Sequence, residues 1–195
     1  MSQRVAPVAQ VDADNQVGAV VRRDVNCEAG VSQFTVLILG LGNPLRGDDG
    51  IGPRVIQELQ TRKLPAGVTA LDGGAGGLDI LRIIEGWGNV VIVDAANVDA
   101  GRERLVPGEF VRFTPDQVRL HESPHEFSLH HAGLAEVLTL ARALDLRLPP
   151  IVVFGVQPAD VGWGEGLSPK VEARLPALID AIFEEAAQRI DRVRE

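Results

Sequence analysis

One cysteine, Cys27, is all the thiol this 195-residue chain has. A lone cysteine cannot close an internal disulfide, so a cross-linked, exported fold is not expected. It lies in a polar, acid-containing segment and reads as incidental rather than as a nucleophile. Long apolar runs are also missing: no stretch approaches the ~18 residues of a membrane span. The N-terminus lacks the apolar segment of a secretory signal. Arg22-Arg23 is followed by Asp24 and by no apolar segment, so it is not read as a twin-arginine signal. Positive charge is scarce as well. Nineteen Lys and Arg against 27 Asp and Glu leave a formal net charge of -8. That balance argues against a nucleic-acid or anionic-membrane surface, both of which need basic patches. It fits a soluble cytoplasmic protein that meets peptides or small molecules.

What is present is enough for a sizeable core, with 45% hydrophobic residues in a length suited to one α/β domain. Residues 1–33 are polar, rich in small residues and without a sustained period, and read as a flexible N-terminal extension. From residue 34 to 195, a single domain is expected. Short apolar runs alternate there with helical patterns. "TVLILG", "GVTALDGG", "NVVIVDAA" and "PIVVFGVQP" read as strands, the third and fourth of these central. "EFVRFTP" alternates like a half-exposed strand. Helices are expected over Gly52–Lys63, over "GLDILRIIEG", over Gly133–Leu144, and over one long C-terminal stretch, "SPKVEARLPALIDAIFEEAAQRI", with Ser168 able to cap it and Pro169 at its first position, despite Pro176. Such alternation predicts a three-layer α/β/α sandwich around a twisted, mostly parallel sheet, phosphorylase/hydrolase-like in class.

Open parallel sheets place ligands at the carboxyl ends of their strands. After the first strand comes "GLGNPLRGDDG", after the second "DGGAGG" with Asp72, after "NVVIV" Asp94, and after "PIVVF" the segment "GVQPADVGWGEG". All four histidines, His121, His125, His130 and His131, cluster in "HESPHEFSLHH". The first loop resembles a phosphate loop but lacks its chemistry. Gly40-Leu41-Gly42-Asn43-Pro44-Leu45 has no third glycine, no G-K-[ST] follows, and Asp48 and Asp49 would repel a phosphate. "GLGNP" also resembles the start of peptidyl-tRNA hydrolases, but the likeness stops there and the acidic chain suits tRNA poorly. Taken as ligands, a carboxylate after the first strand, another after a central strand and a loop imidazole form an O/N set suited to divalent nickel or zinc.

These blocks resemble the maturation endopeptidases of nickel-iron hydrogenases. "LGLGNPLRGDDGIGPRV" is similar to that family's G-x-G-N-x-L-x-x-D-[DE]-x-x-G signature, "SLHHAGLAEVL" to its [ST]-x-H-x-x-G-L-x-x-x-L segment, and "LDGGAGGLDIL", "VVIVDAA" and "VVFGVQPADVGWGEGLSP" to its intervening and last-strand blocks. The likeness runs in unbroken order from Val36 to Ile190. It implies an aspartyl-type endopeptidase that removes a C-terminal peptide from the hydrogenase large-subunit precursor after nickel insertion. It also implies a catalytic and metal-binding set of Asp49, Asp94 and His130, with nickel supplied by the precursor. His130 is preferred to His125 because only His130 has "GLAEVL" at the family's distance downstream. A non-catalytic metal-handling chaperone of hydrogenase assembly is the rival class. No Ser-His-Asp or Cys-His order stands out, so a covalent route is not expected.

Plainer roles compete at each position. Asp49, or more readily Asp48, can cap the helix near Gly52. Asp94 can bond loop amides at its strand end. Asp72 can hold the "DGG" turn, and Asn43 can brace its loop. Trp87 and Trp163 read as packing residues, although Trp163, in a glycine-rich loop, is also placed to line a peptide groove.

Overall fold

The computed structural model describes residues 35–97, 105–117 and 134–194. Five strands form one sheet in the order β2-β1-β3-β5-β4. They are β1 (Val36–Gly40), β2 (Val68–Asp72), β3 (Asn89–Ala95), β4 (Phe110–Phe113) and β5 (Ile151–Val156). All neighbours run parallel except β4, which pairs antiparallel with β5 at the edge. The helices are α1 (Ile51–Gln60), α2 (Asp79–Ile84), α3 (Leu134–Ala143), α4 (Pro169–Glu172) and α5 (Leu175–Arg194). No described helix is long and apolar enough to cross a membrane.

The three inner strands are aliphatic on both sides because both sides are covered. Val36 and Ile38 of β1, Val91 and Val93 of β3, and Val152 and Phe154 of β5 pack with Val55 and Leu59 of α1 and Leu178 and Ile182 of α5. The alternate residues Leu37, Leu39, Val90, Ile92 and Val153 pack with Ile80 and Ile84 of α2 and Val137 and Leu138 of α3. Two cores thus lie back to back across the sheet, as the expected three layers require. Both strands read as central lie between other strands, and the half-exposed β4 is an edge. A carboxylate on α5 ties that helix to the sheet: Glu185 accepts from both Arg112 Nε (2.7 Å) and Arg112 Nη2 (2.9 Å), while Arg189 bonds Glu185 and Asn89. Arg112 is the main cause holding the Glu185 carboxyl below its usual range.

The C-terminal stretch differs from expectation. It is two helices, not one: α4 closes at Ala173 and α5 opens at Leu175. Proline lacks an N–H and clashes with the carbonyl four residues back, so Pro176 is tolerated only in a first turn, and the helix restarts there. Ser168 does precede α4, with Pro169 at the first helical position, yet its side chain makes no capping bond.

Helix α1 lies against β1 at backbone distance. A Cβ on Gly40 would fall 2.4 Å from the Gly52 carbonyl oxygen, and one on Gly52 would fall 2.1 Å from that of Leu41. Only glycine at both places permits this approach.

Candidate functional site

The chain leaves β1 for its outer neighbour β2 through α1 on one face of the sheet, and reaches β5 on the other side of β3 through β4 and then α3 on the opposite face. Such a divergence opens a crevice at the carboxyl ends of the strands. The loop from Leu41 to Gly50 folds into it. Leu41 N–H bonds the Val93 carbonyl (2.8 Å), and Gly42 N–H bonds the Gly74 carbonyl (2.8 Å). Gly42 has φ +126, and a Cβ there would sit 1.8 Å from the Asp49 carbonyl oxygen, so no side chain fits. Asn43 braces the loop as expected: its Oδ1 accepts from Leu45 N (3.0 Å), and its own N–H donates to Asp49 Oδ2 (2.8 Å). The chain then closes a 3-10 turn, Gly47–Gly50, that leads directly into α1.

The two neighbouring acids of that turn have different surroundings. Asp49 is half-buried, folded back on Asn43, and it does not cap α1, whose N-cap is Gly50 with no side-chain capping bond. Asp48 is 1% exposed. Its Oδ2 accepts from Ala159 N (2.8 Å), Asp160 N (3.0 Å) and Ser168 Oγ (2.9 Å), and its Oδ1 from Ser168 N (2.6 Å). Asp48 therefore staples the first loop to the loop between β5 and α4, and Ser168 spends its hydroxyl on this staple rather than on a helix cap. Its partners lie more than a hundred residues away in sequence, so no local signal marked the role.

Asp94 occupies the penultimate position of β3, opposite Gly155 of β5. Burial pushes its carboxyl up to about 7, with the negative charge of Asp49 adding to the rise and a backbone hydrogen bond from Ala95 opposing it. Asp49 and Asp94 thus face one another closely enough to interact, and neither forms an ion pair among the described residues. Two carboxylates with no balancing cation, one held half-protonated near neutrality, are a donor set that suits a divalent metal. His130, with His121, His125 and His131, lies outside the described residues. Among the described residues no group of three His, Cys, Asp or Glu is assembled for a metal. Asp72 holds its turn, its Oδ1 accepting from Gly74 N (2.8 Å). Trp87 packs against the α2–α3 core, but Trp163 is 82% exposed and does not pack inward.

The raised Asp94 value has a consequence for stability. The folded carboxyl keeps its proton to about pH 7, whereas the unfolded one releases it near 3.8. Between these values the native state binds more protons than the unfolded state, so this group's contribution falls as pH rises and stays unfavourable above 7. Asp94→Asn is therefore expected to raise the stability of the metal-free protein at pH 8 by on the order of 2 kcal/mol and to leave it unchanged at pH 3.5. Urea melts at the two pH values check this; equal effects at both would refute it.

Known proteins resemble the chain in both sequence and fold. Residues 53–185 match the family model of hydrogenase maturation proteases, HycI. The hydrogenase expression/formation protein HupD of Bradyrhizobium diazoefficiens is 35% identical over 147 residues, 74% of each chain. The hydrogenase 2 maturation protease of Escherichia coli is 32% identical over 162 residues, covering 80% of this chain and 96% of that one. The solved structure of the E. coli hydrogenase maturating endopeptidase HybD superposes with a TM-score of 0.62 at 29% identity, covering 79% of this chain and 93% of that one. With a family match over most of the described domain and a shared α/β fold, the chain belongs to the hydrogenase maturation proteases and is a peptidase.

Proposed function

We propose that this peptidase removes the C-terminal extension of a nickel-iron hydrogenase large-subunit precursor, and that it does so after nickel has been inserted. The observation that carries the reading is the pair Asp49 and Asp94, two interacting carboxylates at the sheet's switch point with no cationic partner among the described residues. The nickel of the precursor is part of the substrate. Asp49 and Asp94 would meet it, with His130 as the third donor that the family resemblance implies. Docking then tests whether nickel is present. Nickel so held can polarise a carbonyl or acidify a water. On the protein side, Asn43 N–H fixes one Asp49 oxygen, and the other has no hydrogen-bond partner among the described residues. A carboxylate of the pair that stands off the metal can accept the proton of an attacking water and return it to the leaving amine. One water is consumed per peptide bond broken.

The test offers nickel-loaded and nickel-free precursor to the purified protein and follows intact mass. The loaded form should shorten at its C-terminus while the nickel-free form stays full length. Equal trimming of both forms would remove nickel from recognition. No shortening of either, with binding intact, would point instead to a metal-handling chaperone role on this partner.

A further inference from the structure

Asp48 and Asp49 are neighbours in one turn, so the hold on the first limits the freedom of the second. Asp48 is gripped at main chain and side chain. Its N–H donates to the Asp160 carbonyl (2.9 Å), and its carboxylate accepts from Ala159 N, Asp160 N, Ser168 N and Ser168 Oγ. These donors come from both ends of the β5–α4 loop, and all are neutral. A buried charge is costly to keep, and an apolar contact could tie two loops together at less cost. What the carboxylate adds is geometry, because a fully bonded buried polar group admits one arrangement of its partners.

The same turn is pressed on that loop elsewhere. Gly47 N–H bonds the Gly164 carbonyl (2.8 Å), and Gly164 N–H bonds the Leu45 carbonyl (3.0 Å). Arg46 Nε bonds the Val161 carbonyl (3.1 Å), with its guanidinium 5.7 Å from the Trp163 ring centroid. A Cβ on Gly47, where φ is +51, would sit 2.8 Å from the Asp160 carbonyl oxygen. Beyond the turn, Arg54 of α1 pairs with Glu172 of α4 (3.2 Å).

Asp49 needs such a hold because Asp94 repels it. The two carry like charge, and among the described residues no ion pair offsets it. A free turn would let Asp49 swing away. Asn43 N–H holds one of its oxygens (2.8 Å), but Asn43 lies in the same loop and would move with it. Asp48 and Ser168 supply a hold from outside that loop.

We infer that Asp48, seated by Ser168, is a positioning residue for cleavage: it fixes the turn so that the Asp49 carboxylate stays in the crevice beside Asp94 before any precursor arrives. This rests on Asp49 and Asp94 being the working pair of the proposed reaction.

Asp48→Asn keeps the shape but turns an amide N–H2 toward donors, and Ser168→Ala removes one donor. Hydrogen exchange in the metal-free, full-length chain reads the geometry without activity. A carboxylate that only tied two loops would, when replaced, release Gly164 N–H and leave Asn43 N–H protected by Asp49. A positioning residue should release both, each by at least about tenfold beyond the rise at Val91 inside β3. On nickel-loaded precursor, kcat/KM should fall about 30-fold in Asp48→Asn and about threefold in Ser168→Ala, and Ser168→Thr should restore it. Leu178→Ala loosens the core against α5 rather than the turn, and while folded it should keep the wild-type kcat/KM. The inference is overturned if Asn43 stays protected in Asp48→Asn, if kcat/KM there stays at the wild-type value, or if folded Leu178→Ala loses as much. If the wild-type protein trims no precursor while Asn43 still responds to Asp48→Asn, the positioning of Asp49 stands and the proposed reaction falls.

Discussion

Asp94→Asn is expected to reduce kcat/KM for trimming of nickel-loaded precursor by about 10²–10⁴-fold, the contribution of a positioned proton acceptor. Asparagine keeps the shape at the end of β3 but can neither carry the charge that interacts with Asp49 nor take a proton. The same substitution should stabilise the metal-free fold at pH 8, so lost activity cannot be put down to unfolding. Asp49→Asn should lose activity on the same scale, because its amide would place a donor beside a site that calls for acceptors. Time courses of intact mass measure both effects. Wild-type rates in either variant would exclude that acid from the reaction.

Asp48→Ala is expected to lose stability rather than chemistry first, by roughly 3–5 kcal/mol, as is usual when a buried charge with several bonds is removed and its partners are left unpaired. Four donors face that carboxylate, and a methyl group would satisfy none of them. Asp160→Ala makes a useful contrast, since among the described residues its exposed side chain accepts only from Gly162 N. That variant should cost less than about 1 kcal/mol. Urea denaturation separates the two; similar small losses would show that the staple carries little of the fold's stability.

The inner strands were legible in the sequence because burial on both faces leaves uninterrupted aliphatics, as in Val90 to Val93. The direction of β4 was not, since alternation in "EFVRFTP" reports one wet face and is the same for either orientation. Pro176 was visible, but its compatibility with a long helix depended on where the first turn fell, and that is set by packing of Leu175 and Leu178 in the core. Asp94 was legible through its place after a central strand. The division of labour between Asp48 and Asp49 came only through family resemblance. In a 3-10 turn, successive side chains point about 120° apart, so one acid faces the crevice and the next faces the neighbouring loop. Nothing local in "GDDG" says which does which. The exposed Trp163 was read first as packing because its orientation depends on Arg46, distant in sequence.

The glycine contact between α1 and β1 bears on how turnover proceeds. Gly40 and Gly52 interlock main chain against main chain, and Gly42 seats against Asp49 with no room for a methyl group. This wall of the crevice behaves as a fixed jaw. It leaves no room between helix and strand for either to shift past the other, so amide exchange at Leu41 and Gly42 should be as slow in the working enzyme as in the resting one.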